Sequence, residues 1–142
     1  MSKLEHERRL QDMAVIRQKL GCKADLAEVY SPPRVTEVAK ELGMRQGFAL
    51  DLTVPTPSGY VWDFAKRNCR RRALESIRSV KPFMVIGSPE CTAYSRLQEL
   101  FNMNTQEKRD DILRRRKEAE VHLRFCMLIY RIQMQGGRYF TH

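Results

Sequence analysis

Apolar positions recur along this chain in two rhythms. Residues 3–20 follow the helical one: Leu10, Met13, Ile16 and Leu20 fall near one face with Arg17 among them, and Gly21 is a natural stop. LAEVYS (26–31) reads as a short strand, broken by Pro32-Pro33. RVTEVAKELGM (34–44) returns to helical spacing, with Val35, Val38, Ala39 and Leu42 as its apolar face and Gly43 as its cap. GFALDL (47–52) is a second strand, TVPTPSG (53–59) a loop with two prolines, and YVWDF (60–64) a short extended piece. NCRRRALESIRSV (68–80) predicts a helix that Lys81-Pro82 stops. FMVIG (83–87) is the clearest strand, short and continuously apolar, as expected when both faces are buried. Residues 105–135 read as one long helix or two broken ones. Their stripe is Ile112, Leu113, Ala119, Leu123, Cys126, Met127, Tyr130 and Met134, and RRRK (114–117) lies on a wet or ligand-facing side. Gly136-Gly137 ends this segment, and RYFTH (138–142) begins another strand.

Strands alternating with helices predict an open α/β sheet with mainly parallel strands. The expected organisation is an N-terminal amphipathic helix over residues 1–25 and an α/β unit over 26–142. Open sheets of this kind bind ligands beyond the carboxyl ends of their strands. The residues there are Tyr30-Ser31-Pro32, Asp51-Leu52-Thr53, Asp63-Phe64 and Ser88-Pro89-Glu90-Cys91. Two acids and a thiol at neighbouring strand ends suit a nucleoside-type ligand and a nucleophile.

Composition narrows this picture. Apolar residues make up 42% of the 142, enough for a folded core. No apolar run approaches the roughly 18 residues of a membrane span, and MSKLEHERRL has no apolar signal region, so an intracellular protein, nuclear or cytoplasmic, is expected. The net charge is +9, which favours a polyanionic partner. Lys66–Lys81 holds seven Lys or Arg against one Glu, so it carries +6 of that excess. Its run Arg70-Arg71-Arg72 is either a solvated helix face or a phosphate-binding one.

Several residues read two ways. Cys22, Cys69 and Cys126 are too far apart for metal knuckles and are expected as small buried apolar groups. Cys91, after a proline turn at a strand end, is either an ordinary loop residue or a presented thiol. Asp51 and Asp63 taken singly would be loop caps or surface acids. Trp62 reads as core or pocket wall, His122 as a half-buried helical histidine, and Met44, Met84, Met103, Met127 and Met134 as core filler. No GxxxxGK[ST] loop is present, which counts against a P-loop nucleotide hydrolase.

Over about residues 28–142, the pattern resembles the N-terminal part of a DNA cytosine-5 methyltransferase catalytic domain, as also found within mobile-element polyproteins. VIGSPECTAYS is similar to that family's proline-cysteine signature: Gly87 and Pro89 match, Cys91 takes the nucleophile position, Thr92 stands for the usual Gln, and Tyr94-Ser95 stands for Phe-Ser. EVYSPPRVTEVAKELGM occupies the place of the first strand, cofactor loop and first helix, with Ser31-Pro32-Pro33 where the family has a glycine-rich turn. Asp51 stands where an acid binds ribose hydroxyls, Asp63 of VWDF where the adenine amino group is contacted, and GGRYFTH resembles the approach to a Glu-Asn-Val motif.

The resemblance implies a Rossmann-like, S-adenosylmethionine-dependent methyltransferase sheet with flanking helices, incomplete at its C-terminal side. It implies Cys91 as the nucleophile attacking cytosine carbon 6, and Tyr30, Ser31, Asp51, Asp63, Phe64 and Pro89 as cofactor contacts. Arg70, Arg71, Arg72 and Arg96 would hold the phosphates of nucleic acid, DNA being expected, around a flipped base. A thiolate next to a helix N-terminus is favoured, whereas Glu90 beside it works against ionisation. The alternative is a catalytically inactive module of the same fold that binds nucleic acid or protein. A last strand with an open edge predicts self-association or completion by a second chain.

Overall fold

The computed structural model describes residues 1–90 and 105–142. Eight elements run in the order α1 (Lys3–Lys19), β1 (Leu26–Val29), α2 (Val35–Glu41), β2 (Gln46–Leu50), α3 (Arg67–Val80), β3 (Met84–Gly87), α4 (Gln106–Gln135) and β4 (Tyr139–Thr141). The four strands form one all-parallel sheet in the order β2-β1-β3-β4. From β1 the chain passes outward through α2 to β2. It then returns across β1 through α3 to β3 and continues through α4 to β4. The strand order thus reverses between β1 and β3, as in an open, Rossmann-like α/β sheet. Among the described residues no helix is long and apolar enough to cross a membrane.

The two faces of β1 do different work because successive side chains alternate. Ala27 and Val29 join Leu50, Val85, Cys69, Ala73, Ile77, Phe125, Cys126, Ile129 and Tyr130 in the core beneath α3 and α4. Glu28 points the other way, under α2, and is 1% exposed. Its carboxylate accepts from the backbone N–H of Val35 (3.3 Å) and Thr36 (3.0 Å) and from the hydroxyls of Thr36 (2.8 Å) and Ser31 (3.1 Å). Helix N-termini leave such N–H groups without partners, and here a buried strand acid fills that need.

This contact turns α2 away from its expected orientation. Val35, Val38 and Leu42 are exposed, while Thr36 and Ala39 face inward. A helix lying over a buried carboxylate must aim a hydroxyl at it, and that rotates the valines outward. α4 departs similarly. It is one unbroken helix, but its buried stripe is Ile112, Phe125, Cys126, Ile129, Tyr130 and Gln133, and Leu113, Met127 and Met134 are exposed. Gln133 explains the rotation. Its amide donates to the carbonyls of Pro82 (2.9 Å) and Tyr139 (2.8 Å) and accepts from Arg138 Nε (3.0 Å), tying α4 to both ends of the neighbouring strands. Met44 is also exposed, so the methionines as a set are not core filler.

α1 buries none of its residues, so its apolar stripe does not pack on the sheet among the described residues. A Ser2–Glu5 capping box starts it, and its last turn is held where Arg17 pairs with Asp25 (3.4 Å). Asp25 also takes the Arg45 backbone N–H (2.8 Å) and guanidinium (2.9 Å). Burial pushes the Asp25 carboxyl up, but the Arg45 hydrogen bonds and the Arg17 charge more than offset it and hold it below its ordinary value of 3.8. A carboxylate depressed in the folded state stabilises above its unfolded pKa, and that contribution is lost as the pH falls through the folded value. Asp25→Asn is therefore expected to cost about 1–2 kcal/mol at neutral pH. It should also flatten the loss of stability below about pH 4, measured by urea denaturation across pH.

β1 and β2 change register between Leu26 and Glu28. Gly47 sits there, and a Cβ on it would collide with the Leu26 carbonyl. The glycine is what lets the two backbones approach. YVWDF forms no strand. Its alternate rings instead make a series, Tyr60 to Trp62 (5.0 Å), Trp62 to Phe64 (6.1 Å) and Phe64 to Phe125 (5.1 Å), which fixes this loop against the core.

Candidate functional site

A cavity of about 470 Å³ opens at the carboxyl ends of β1, β2 and β3, where the strand order reverses. That volume falls within the roughly 300–1,000 Å³ usual for small-molecule sites. Each wall comes from a different element. Tyr30 follows β1, Asp51, Leu52 and Thr53 follow β2, the ring loop contributes Trp62, Asp63 and Phe64, and Ser88 and Glu90 follow β3. The remaining wall is one face of α4: Arg115, Glu118, Ala119 and His122. These stand at i, i+3, i+4 and i+7, so a straight helix presents them together.

Tyr30 adopts a left-handed backbone conformation (φ 60°), unusual for a residue with a side chain. Its N–H is held by Leu50 O (2.9 Å), and its ring packs against Phe64 (4.8 Å) and His122 (5.5 Å). Strain of this kind persists where the surroundings dictate it, often at binding sites. The Tyr30 hydroxyl lies 3.0 Å from His122 Nδ1. Burial pushes this hydroxyl well above its ordinary pKa, so it stays a phenol. Burial also pushes His122 down, against the pull of Asp63 and Glu118, so the ring is neutral at physiological pH.

Asp51 and Asp63 are differently engaged. Asp51 is buried, and both of its bonds, from the N–H and hydroxyl of Thr53, fall on Oδ2. Among the described residues nothing donates to Oδ1. Asp63 accepts the Ala65 N–H (3.1 Å) and pairs with exposed Lys66 (3.8 Å). Phe64 is 2% exposed, and its N–H has no partner among the described residues. The lining therefore holds four carboxylates, Asp51, Asp63, Glu90 and Glu118, against the single guanidinium of Arg115, in a chain whose net charge is +9.

Of the expected cofactor contacts, Tyr30, Asp51, Asp63 and Phe64 line the cavity together. Ser31 does not; its hydroxyl is hydrogen-bonded to Glu28 and to the Pro32 carbonyl. Pro89 is outside the lining, although Ser88 and Glu90 on either side belong to it. Cys91 and Arg96 lie outside the described residues, as do Thr92, Tyr94, Ser95 and Met103. Arg70 donates to the carbonyls of Phe64 (2.8 Å) and Ala65 (2.9 Å), and so supports the ring loop. Arg72 stacks over Tyr60 at 4.1 Å, and Arg71 is exposed. Cys22, Cys69 and Cys126 are buried free thiols. Trp62 is a pocket wall. His122 and the rest of the α4 face were not anticipated as site residues, although their spacing is visible in the sequence.

No protein-family model, curated protein or solved structure matches the chain.

Proposed function

We propose that the strand-end cavity binds a cationic nucleoside, with S-adenosylmethionine as its ligand. The observation that carries this reading is the acidic lining in a strongly basic chain. The sulfonium and ammonium of S-adenosylmethionine outweigh its carboxylate by one charge, and four carboxylates against one guanidinium suit that balance. The residues fit the nucleoside half. Asp51 Oδ1 is available to ribose hydroxyls, Asp63 and the unpartnered Phe64 N–H are available to the adenine edge, and Trp62 and Tyr30 supply ring faces. A phosphate-bearing nucleotide fits less well, because the N-terminus of α2, where pyrophosphate would sit in a dinucleotide fold, is taken by Glu28.

Bound in this way, S-adenosylmethionine supplies an electrophilic methyl group. The resemblance to cytosine-5 methyltransferases then assigns Cys91 as the thiol that attacks cytosine, with nucleic acid as the partner along the arginines of α3. A second reading, a binding module without turnover, is favoured by one observation: Pro32 and Pro33 have no N–H to offer where the family's glycine-rich turn meets the methionine moiety.

Calorimetric titration separates the two. Asp63→Ala is expected to weaken S-adenosylmethionine about 10- to 100-fold, the worth of a hydrogen bond to a charged group. Equal affinity in wild type and variant would remove Asp63 from the site. Salt-sensitive DNA binding with no cofactor binding would establish the second reading.

A further inference from the structure

The Tyr30–His122 contact carries an inference about what the cavity recognises; it rests on the nucleoside reading above. Tyr30 Oη lies 3.0 Å from His122 Nδ1 and 3.4 Å from the His122 carbonyl. If Nδ1 carried the hydrogen, it would donate to Oη, and the phenol would be left to donate across the longer contact. If the phenol donates to Nδ1, the shorter contact is used fully and the imidazole hydrogen falls on Nε2. Nε2 has no protein partner among the described residues, and His122 lines the cavity.

We propose that Tyr30 locks His122 as the neutral Nε2–H tautomer, making it a specificity residue that donates to an uncharged acceptor of the bound nucleoside and repels a cationic ligand once protonated. The groups facing the ring are Tyr30 beyond β1, Asp63 on the ring loop, Arg70 on α3, and Glu118 on its own helix. Arg115, Asp51 and Glu90 complete the lining. Asp63 and Glu118 favour the imidazolium, while Arg70 and burial, the largest influence, disfavour it. Protonation places hydrogens on both ring nitrogens, so the phenol can no longer donate to Nδ1, and it adds a positive charge to a cavity suited to a cation.

Two measurements test this. Long-range ¹H–¹⁵N spectra of the ligand-free chain, assigned with His122→Gln, are expected to show the Nε2–H tautomer and a pKa below the ordinary 6.5. Tyr30→Phe should raise that pKa, because the neutral ring loses its donor. An Nδ1–H tautomer, or a pKa unmoved in Tyr30→Phe, would overturn the assignment.

In calorimetry with S-adenosylmethionine, wild-type affinity should fall about tenfold from pH 7.5 to about pH 5.5, as one added like charge implies. His122→Gln, which keeps an amide donor, should retain affinity at pH 7.5 within about threefold and lose the pH dependence; His122→Leu should lose roughly three- to tenfold. The ligand's own amine titrates equally against every variant. Equal pH dependence in wild type and His122→Gln overturns the role of His122 and leaves the cofactor reading intact. Absence of binding at either pH overturns the cofactor reading and with it the recognition role, and the spectra still decide the tautomer.

Discussion

Glu28→Ala is expected to cost about 4 kcal/mol, close to the whole stability of a marginal domain. Three donors lose their acceptor at once: the Thr36 N–H and hydroxyl, fully buried, and the Val35 N–H. Each unsatisfied buried donor costs about 1–3 kcal/mol, and Val35, at 3.3 Å, contributes least. The Ser31 hydroxyl keeps the Pro32 carbonyl and adds little. The loss should appear as a lower denaturation midpoint in urea with an unchanged slope. Glu28→Gln should fall between, because its amide oxygen accepts while its NH2 group meets donors. A loss below about 1 kcal/mol in Glu28→Ala would show that α2 does not depend on this carboxylate. The effect reaches the cavity as well, because Glu28 anchors the turn that holds Tyr30 in its left-handed conformation.

Gly87→Ala is the second large effect, at about 3 kcal/mol. A Cβ at Gly87 would overlap the Tyr130 hydroxyl and lie 2.6 Å from Cys126 Sγ. That hydroxyl is already bound to Cys126 (3.0 Å) and to His142 Nδ1 (2.7 Å), and the Tyr130 ring stacks on Phe140 at 4.3 Å. The side chain cannot swing aside without breaking the joint between α4 and β4, so the strand end must move. Ser88 and Glu90, directly beyond it, would move with it and deform the cavity floor. Tyr130→Phe removes the closest atom, so the double variant Gly87→Ala/Tyr130→Phe should be more stable than the sum of the two single effects predicts. Strict additivity in the thermal midpoints would contradict this packing account.

How much of this was legible depended on whether a residue's neighbours were local. β1, β2, α3 and β3 lie within a residue or two of expectation, because short apolar runs bounded by proline and glycine are local signals. The long helix from 106 to 135 and the strand after Gly136-Gly137 were equally readable. α2 was legible as a helix but not in its orientation: its valines sit at helical spacing on the outer face, and the group that turns it, Glu28, is a tertiary partner that looks like an ordinary strand polar residue. The orientation of α4 was hidden in the same way by Gln133. In the site, Asp51 and Asp63 were legible because strand ends are where open sheets bind ligands. The fourth wall was not, since Arg115, Glu118 and His122 are polar, and a polar helix face reads as solvated until strand ends are known to lie opposite it.

The most direct test of the central claim compares three ligands by calorimetry at neutral pH: S-adenosylmethionine, its neutral product S-adenosylhomocysteine, and ATP. The acidic cavity predicts saturable binding of S-adenosylmethionine, weaker binding of the product by the loss of one favourable charge, and no binding of ATP at this site. Tighter binding of ATP, or no saturable heat from S-adenosylmethionine at millimolar concentration, would contradict it.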